Sequence, residues 1–299
     1  MSFNLVKRIL LLNLIAQSGI ILTGATVRLT GSGLGCPTWP QCTPGSFIPT
    51  LHQAESYHKY IEFGNRTLTG ILTLAAIATL VGVWKTSSDK RFRKIALIPI
   101  VGTVFQAILG GITVLTNLNS ATVMIHLLVS VALVAVSVYL FDAYNRSFKK
   151  VSGVSRAIGI GVLASAALVV FLGSVVTNSG PHSGDANVAS ALPFDPALMA
   201  WLHADSVWLF VGVLIASWLL LKAGVVSESA FPSLRNLTAL TVVQGVVGYS
   251  QYFSGLPILL VGIHVLLAIL IWISAVYFYR RSNFELKSEI NAESLNYSI

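Results

Sequence analysis

The sequence predicts an all-α integral membrane protein of eight transmembrane helices, built as two parallel four-helix repeats. Three observations carry that fold class: an apolar composition, eight apolar runs of spanning length, and a self-similarity that places the two halves in register. Of the 299 residues, 55% are hydrophobic and 10% charged, a balance outside that of soluble domains of this size. A helix needs about 20 apolar residues to cross roughly 30 Å of hydrocarbon. Such runs lie near 9–27, 64–84, 95–115, 121–142, 157–177, 198–221, 236–253 and 257–279.

Taken in order, the charges at the ends of these runs fix their direction. Lys7 and Arg8 precede the first span. That run is long and has no small-residue cleavage site before the next polar segment, so it reads as a retained helix and not as a signal peptide. Lys85, Lys90, Arg91, Arg93 and Lys94 separate the second span from the third, and Arg146, Lys149, Lys150 and Arg156 separate the fourth from the fifth. Lys222 and Arg235 follow the sixth, and Arg280, Arg281 and Lys287 follow the eighth. Basic residues gather on the cytoplasmic side, which predicts both termini inside. The net charge of +8 is therefore a topology signal and lends no support to nucleic-acid binding. From Phe284 the chain is polar without apolar periodicity, which predicts a disordered cytoplasmic tail.

The repeat appears at an offset of 138 residues: Asn65 falls on His203, Gln106 on Gln244, Gly110 on Gly248 and His126 on His264. The starts of the halves align at another offset, Gly24 with Gly173 and Gly31 with Gly180, so the first outer loop is longer than its counterpart by about eleven residues. That extra length contains Cys36 and Cys42. The predicted division is 1–150, 151–283 and a tail of 284–299. With four spans in each half the repeats share one orientation.

Ionisable residues inside spans are costly and usually have a partner or a task. His126, His203 and His264 each lie about five to eight residues into a span that starts outside, roughly 7–12 Å deep. One such histidine reads as an interhelical hydrogen bond; a symmetry-related set at one depth points to ligands. Imidazoles on facing helices can supply both axial ligands of a haem iron. His203 and His264 make such a pair, whereas the first half offers Asn65 and His126, and Asn65 is a poor ligand. One permanent haem site and one site where a haem reacts or exchanges would follow.

Glu62 sits one turn before Asn65 on the same face and is open to two readings: a carboxylate that relays protons, or a boundary residue paired with Arg66 or Lys59. His58 would line the pocket mouth if its helix extends that far outward. His52 and His182 read as solvated loop residues, and Asp205 as a polar contact between helices. Cys36 and Cys42 lie in the outer loop, where an oxidising compartment favours a disulfide; a structural staple and a thiol pair exchanging electrons both remain open. Their spacing does not fit a CxxC or zinc motif. Gln106 and Gln244 read as hydrogen bonds across the bundle beside Gly110, Gly111 and Gly248, which allow close helix approach. No P-loop, dinucleotide fingerprint, zincin or serine-nucleophile motif is in a suitable context.

The segments 23–36 (TGATVRLTGSGLGC), 39–42 (WPQC), 61–66 (IEFGNR) and 109–114 (LGGITV), with the three membrane histidines, resemble the haem A synthase family of the bacterial eight-helix type. The resemblance covers nearly all of the chain except the tail. It implies oxidation of the methyl group of haem O to the formyl group of haem A for terminal oxidases. It implies haem b on His203 and His264, a substrate haem on His126 with Asn65 in its pocket, Glu62 as the catalytic carboxylate, and the cysteine pair at Cys36 and Cys42. A haem O synthase and an electron donor are the implied partners. Asn65 departs from the family pattern, which has a fourth histidine there. The rival classes are a b-type cytochrome, disfavoured by Asn65, and a carrier using alternating access, disfavoured because the acidic and histidine positions cluster outside.

Overall fold

The computed structural model describes residues 1–144, 146, 148–151, 153–180, 184 and 191–286. The chain runs through α1 (Phe3–Leu29), α2 (His58–Thr86), a short α3 (Lys90–Ile95), α4 (Ile98–Leu115), α5 (Ser120–Ala143), β1 (Phe148–Lys150), α6 (Val154–Ser179), α7 (Pro196–Lys222), a 3₁₀ turn (Glu228–Ala230), α8 (Phe231–Phe253), α9 (Ile258–Asn283) and β2 (Phe284–Leu286). Eight long helices stand where eight spans are predicted. Several extend beyond the apolar runs because polar caps hold their ends: Asn119 accepts from Ala121 N and Asp195 from Ala197 N, satisfying donors that a helix start leaves unpaired.

Seven of these segments, with α3 and α4 counted together as Lys90–Leu115, are long and apolar enough to cross a membrane by length and composition. The remaining one, α8, has 23 residues and reaches about 34 Å, but Arg235, Asn236, Gln244 and Gln251 dilute its apolar run. Large apolar side chains such as Leu74, Val101, Leu219 and Val246 point outward, the surface that a hydrocarbon solvent requires.

The sequence repeat is also a repeat of helix ends. The first residues of α2 and α7 are 138 positions apart, as are those of α5 and α9 and the last residues of α4 and α8. In the first half α1 packs on α2 and α5, and α4 packs on α2 and α5; in the second, α6 packs on α7 and α9, and α8 on α7 and α9. The halves meet along α1, α5 and α9 through Leu14, Ile21, Val134, Val138, Ile269 and Val276, and Trp272 Nε1 donates to the Val131 carbonyl across that seam.

At the end where the basic residues gather, Asp142 closes α5 against α9. Its carboxylate accepts from Arg146 at 3.0 Å, Arg280 at 2.6 Å and Arg281 at 2.6 Å. The polarity of the chain from Phe284 predicts no structure there, yet Phe284–Leu286 pairs antiparallel with Phe148–Lys150, because the end of α9 arrives beside the α5–α6 connection and offers unpaired backbone groups. His182, Lys287 and the rest of the tail lie outside the described residues.

Candidate functional site

The second half brings two imidazoles together. His203, in the second turn of α7, and His264, in the second turn of α9, face each other with ring centroids 6.5 Å apart and planes at 67°. Two metal–imidazole bonds of about 2 Å plus the half-widths of the rings span roughly 6 Å, so an iron between them is sterically admissible. Each ring lies over a glycine: a side-chain carbon at Gly173 would stand 3.0 Å from His203 Cε1, and one at Gly248 would stand 3.3 Å from His264 Cε1. Larger residues there would push the rings out of line. Nδ1 of both rings is buried without a hydrogen bond of ordinary geometry, although the Val169 carbonyl interacts with His203. A buried polar atom without a partner calls for an explanation, and a group held by the two rings would be one.

The first half repeats the frame and breaks it at one position. His126 lies over Gly110, where a side-chain carbon would stand 3.5 Å from Cε1, and its Nδ1 is likewise buried and unpartnered. Gln106 Nε2 donates to the His126 carbonyl at 2.9 Å, and Gln244 Nε2 donates to the His264 carbonyl at 3.0 Å, so the paired glutamines fix the helix turn that carries each histidine. Opposite His126, Asn65 occupies the place of His203, and Thr23 Oγ1 donates to Asn65 Oδ1 at 2.7 Å. The glycine beneath it, Gly24, has no side-chain neighbour within 4 Å. The smaller amide, drawn to α1, leaves open the slot that His203 fills in the second half.

Above this slot lies the cysteine loop. The sulfurs of Cys36 and Cys42 are at bonding distance, 2.02 Å. Glu62 is buried and turned to the loop: Oε2 accepts from Cys36 N at 2.6 Å, and Oε1 accepts from Arg66 Nε at 3.0 Å and Nη2 at 2.5 Å. Arg66 also donates to the carbonyls of Cys36, Thr38 and Gln41 and stands over the Trp39 ring. Trp39 in turn rests on α4 at Gly111, where any side chain would meet its indole at 2.4 Å. Gly35 is equally constrained, since a side chain there would strike the His58 carbonyl. Thus the first turns of α2 hold a folded lid against the helix that carries Gly110.

Of the remaining predicted positions, Lys59 is buried and donates to the carbonyls of Thr50, Leu51 and Gln53, so it holds the loop and does not pair with Glu62. His58 shares a hydrogen bond with Ser32 at 2.9 Å, which ties it to the loop. His52 is exposed. Asp205 differs from expectation: it is exposed and makes no hydrogen bond or ion pair among the described residues, because its place on α7 turns it away from the bundle. Arg66's grip on three carbonyls and the Thr23–Asn65 bond were not legible in sequence, since spacing along a helix does not show which loop returns to it.

The family described as cytochrome oxidase assembly protein, COX15-CtaA, matches residues 7–183. A haem A synthase of Bacillus pumilus is 27% identical over 263 residues, 80% of this chain and 82% of the relative. Another, of Alkalihalophilus pseudofirmus, is 27% identical over 269 residues, 84% and 87% respectively. A protohaem IX farnesyltransferase of Halobacterium salinarum is 26% identical over 116 residues, 39% of this chain and 25% of the relative.

Proposed function

Because the chain belongs to the COX15-CtaA family of cytochrome oxidase assembly proteins, we propose that it is a haem A synthase, a membrane oxidoreductase that converts the methyl group of haem O to the formyl group of haem A. Two haem A synthases that match over most of their own length support this. The observation that carries the assignment of sites is the asymmetry of the repeat: two facing imidazoles in the second half, one imidazole and an open slot in the first.

In this reading residues 151–283 hold haem b through His203 and His264, and residues 1–150 hold haem O through His126. The bound haem b supplies electron transfer when present. The chain's own part is to keep both imidazoles aligned over Gly173 and Gly248, to leave the Asn65 side open for a substrate that must enter and leave, and to exclude water with the Trp39 lid. Glu62 serves as the carboxylate of the pocket: its links to Arg66 and Cys36 let a change of charge there be felt by the lid. The Cys36–Cys42 disulfide holds the lid's fold. Both termini are cytoplasmic, which places the haem sites near the outer face. A haem O synthase supplies the substrate, a partnership supported by the segment shared with the farnesyltransferase, and a separate donor supplies electrons.

The test is to express the chain with a source of haem O and extract its haems. Haem A or its alcohol precursor is expected beside haem b. Haem b with unaltered haem O would contradict the assignment and leave a b-type cytochrome.

A further inference from the structure

At the end of the bundle where the basic residues gather lies a cavity of about 440 Å³, within the range of about 300–1,000 Å³ usual for small-molecule pockets. Among the described residues its walls come from three places. Ser274, Tyr277 and Arg281, spaced by three and four residues, form one face of α9. Ser233 and Asn236 line it from the first turns of α8, and Arg146 from just beyond α5. The hydroxyls of Ser274 and Tyr277 make no hydrogen bond among the described residues. The Asn236 side chain makes one, in which Oδ1 accepts from Arg235 at 3.5 Å, and its two amide N–H groups donate to none.

The charge beside this cavity is positive. Asp142 answers Arg146, Arg280 and Arg281 with a single carboxylate, which leaves two positive charges in excess. Arg280 is not part of the lining: its side chain is 5% exposed and lies over the Tyr139 ring. Arg146 and Arg281 keep 35% and 17% exposure and do line the cavity. Each gives one side-chain N–H to Asp142 among the described residues, out of the five that a guanidinium carries. The free edge of such a fork matches the oxygens of a phosphate. Two guanidiniums with hydroxyl and amide donors beside them make a donor set for an oxyanion.

The repeat shows that packing does not require this cavity. At the offset of 138 residues Ser233, Asn236 and Ser274 fall on Ile95, Ile98 and Val136, and Tyr277 falls on Tyr139. Ile95, Val136 and Tyr139 pack against the apolar core of the first half, so aliphatic side chains fill there what hydroxyls and an amide line here. Depth identifies the ligand. Asn236 and Tyr277 lie within the apolar runs 236–253 and 257–279, whereas Arg146 and Arg281 lie just beyond such runs, so the cavity straddles the boundary between hydrocarbon and headgroups. We propose that it binds the phosphate of an anionic phospholipid, held by Arg146 and Arg281 with Asn236, Ser274 and Tyr277 as further donors. Basic pockets between membrane helices recognise such headgroups, and a lipid phosphate already lies at the level of the two guanidiniums. A lipid seated there ties the end of α5 to α8 and α9. The proposal needs only that the chain is embedded in a bilayer and does not depend on the haem chemistry.

The test counts lipids on the full chain by native mass spectrometry, after delipidation in neutral detergent and titration with phosphatidylglycerol or phosphatidylcholine. One phosphatidylglycerol per chain is expected to bind at least ten-fold more tightly than phosphatidylcholine. The graft Ser233→Ile, Asn236→Ile and Ser274→Val puts the first half's residues into the cavity and leaves the Asp142 cluster intact; it is expected to abolish that preference. Arg146→Gln, at the exposed edge of the cluster, keeps the result decisive if the graft does not fold, and is expected to weaken phosphatidylglycerol several-fold. Lys222→Gln removes an exposed charge at the same end outside the cavity and is expected to change nothing. Equal binding of the two lipids, native affinity in Arg146→Gln, or an equal loss in Lys222→Gln would overturn the site. Inorganic phosphate at millimolar concentration is expected not to displace the lipid. Displacement by it would overturn the lipid as the source of the phosphate.

Discussion

At the scale of single residues, small differences between equivalent positions decide what each half can do. His203 and Asn65 occupy the same place in the repeat, yet only the histidine reaches its partner across the bundle, while the amide is held back by Thr23. Glu62 belongs to the half in which Asn65 stands where the other has His203, and Ala200 stands at its own equivalent. Glu62→Gln keeps the size and one hydrogen-bonding oxygen but removes the charge facing Arg66. It is expected to abolish haem A formation while His203 and His264 keep their haem b, as read by the yields of both haems from one preparation. Near-normal conversion per haem b would reduce Glu62 to a brace for the loop. The sequence could pair Glu62 with Arg66 by their spacing of four, but its bond to Cys36 N joins positions 26 apart. No local pattern encodes that contact.

At the scale of elements, the first half is held by a device at either end. At one end the Cys36–Cys42 loop is gripped by Glu62, Arg66 and Lys59 and set on α4 through Trp39. Peptide mapping of protein alkylated without reductant is expected to recover Cys36 and Cys42 in one cross-linked fragment; two alkylated cysteines would refute the bond. At the other end Asp142, 1% exposed, joins α5 to α9 through Arg280 and Arg281 and also pairs with Arg146. Removing one partner of a buried ion pair leaves charge uncompensated, at about 3–5 kcal/mol. Asp142→Ala is therefore expected to lower the thermal midpoint of detergent-solubilised protein well below that of Glu228→Ala, a substitution in the 3₁₀ turn. Helix existence was legible from the apolar runs, and most ends fell within a few residues. The early start of α2 at His58 was not, because its first turns are stabilised by the loop that folds back on them and not by apolar periodicity. Phe284–Leu286 was misread for a related reason: strand pairing with residues far earlier in sequence leaves no mark in local composition.

At the scale of the whole molecule, a repeated bundle carries unlike residues at equivalent places. The offset of 138 residues, visible in Gln106, Gly110 and His126 against Gln244, Gly248 and His264, reappears as coincident helix ends and as matching glutamine-to-carbonyl bonds. That much of the architecture is written in the sequence because symmetry forces equal residues into equal roles. The bonds from Asn13 to Ser137 and from Gln17 to Thr103 show only in the structure, since hydroxyls and amides at helical spacing are otherwise ordinary in membrane helices. The division of labour is tested most directly by measuring haem b content and haem A yield together in purified His126→Ala and His203→Ala, each expressed with a haem O source. His126→Ala is expected to keep its haem b and make no haem A, and His203→Ala to lose haem b. Haem b retained by His203→Ala and lost from His126→Ala would contradict it.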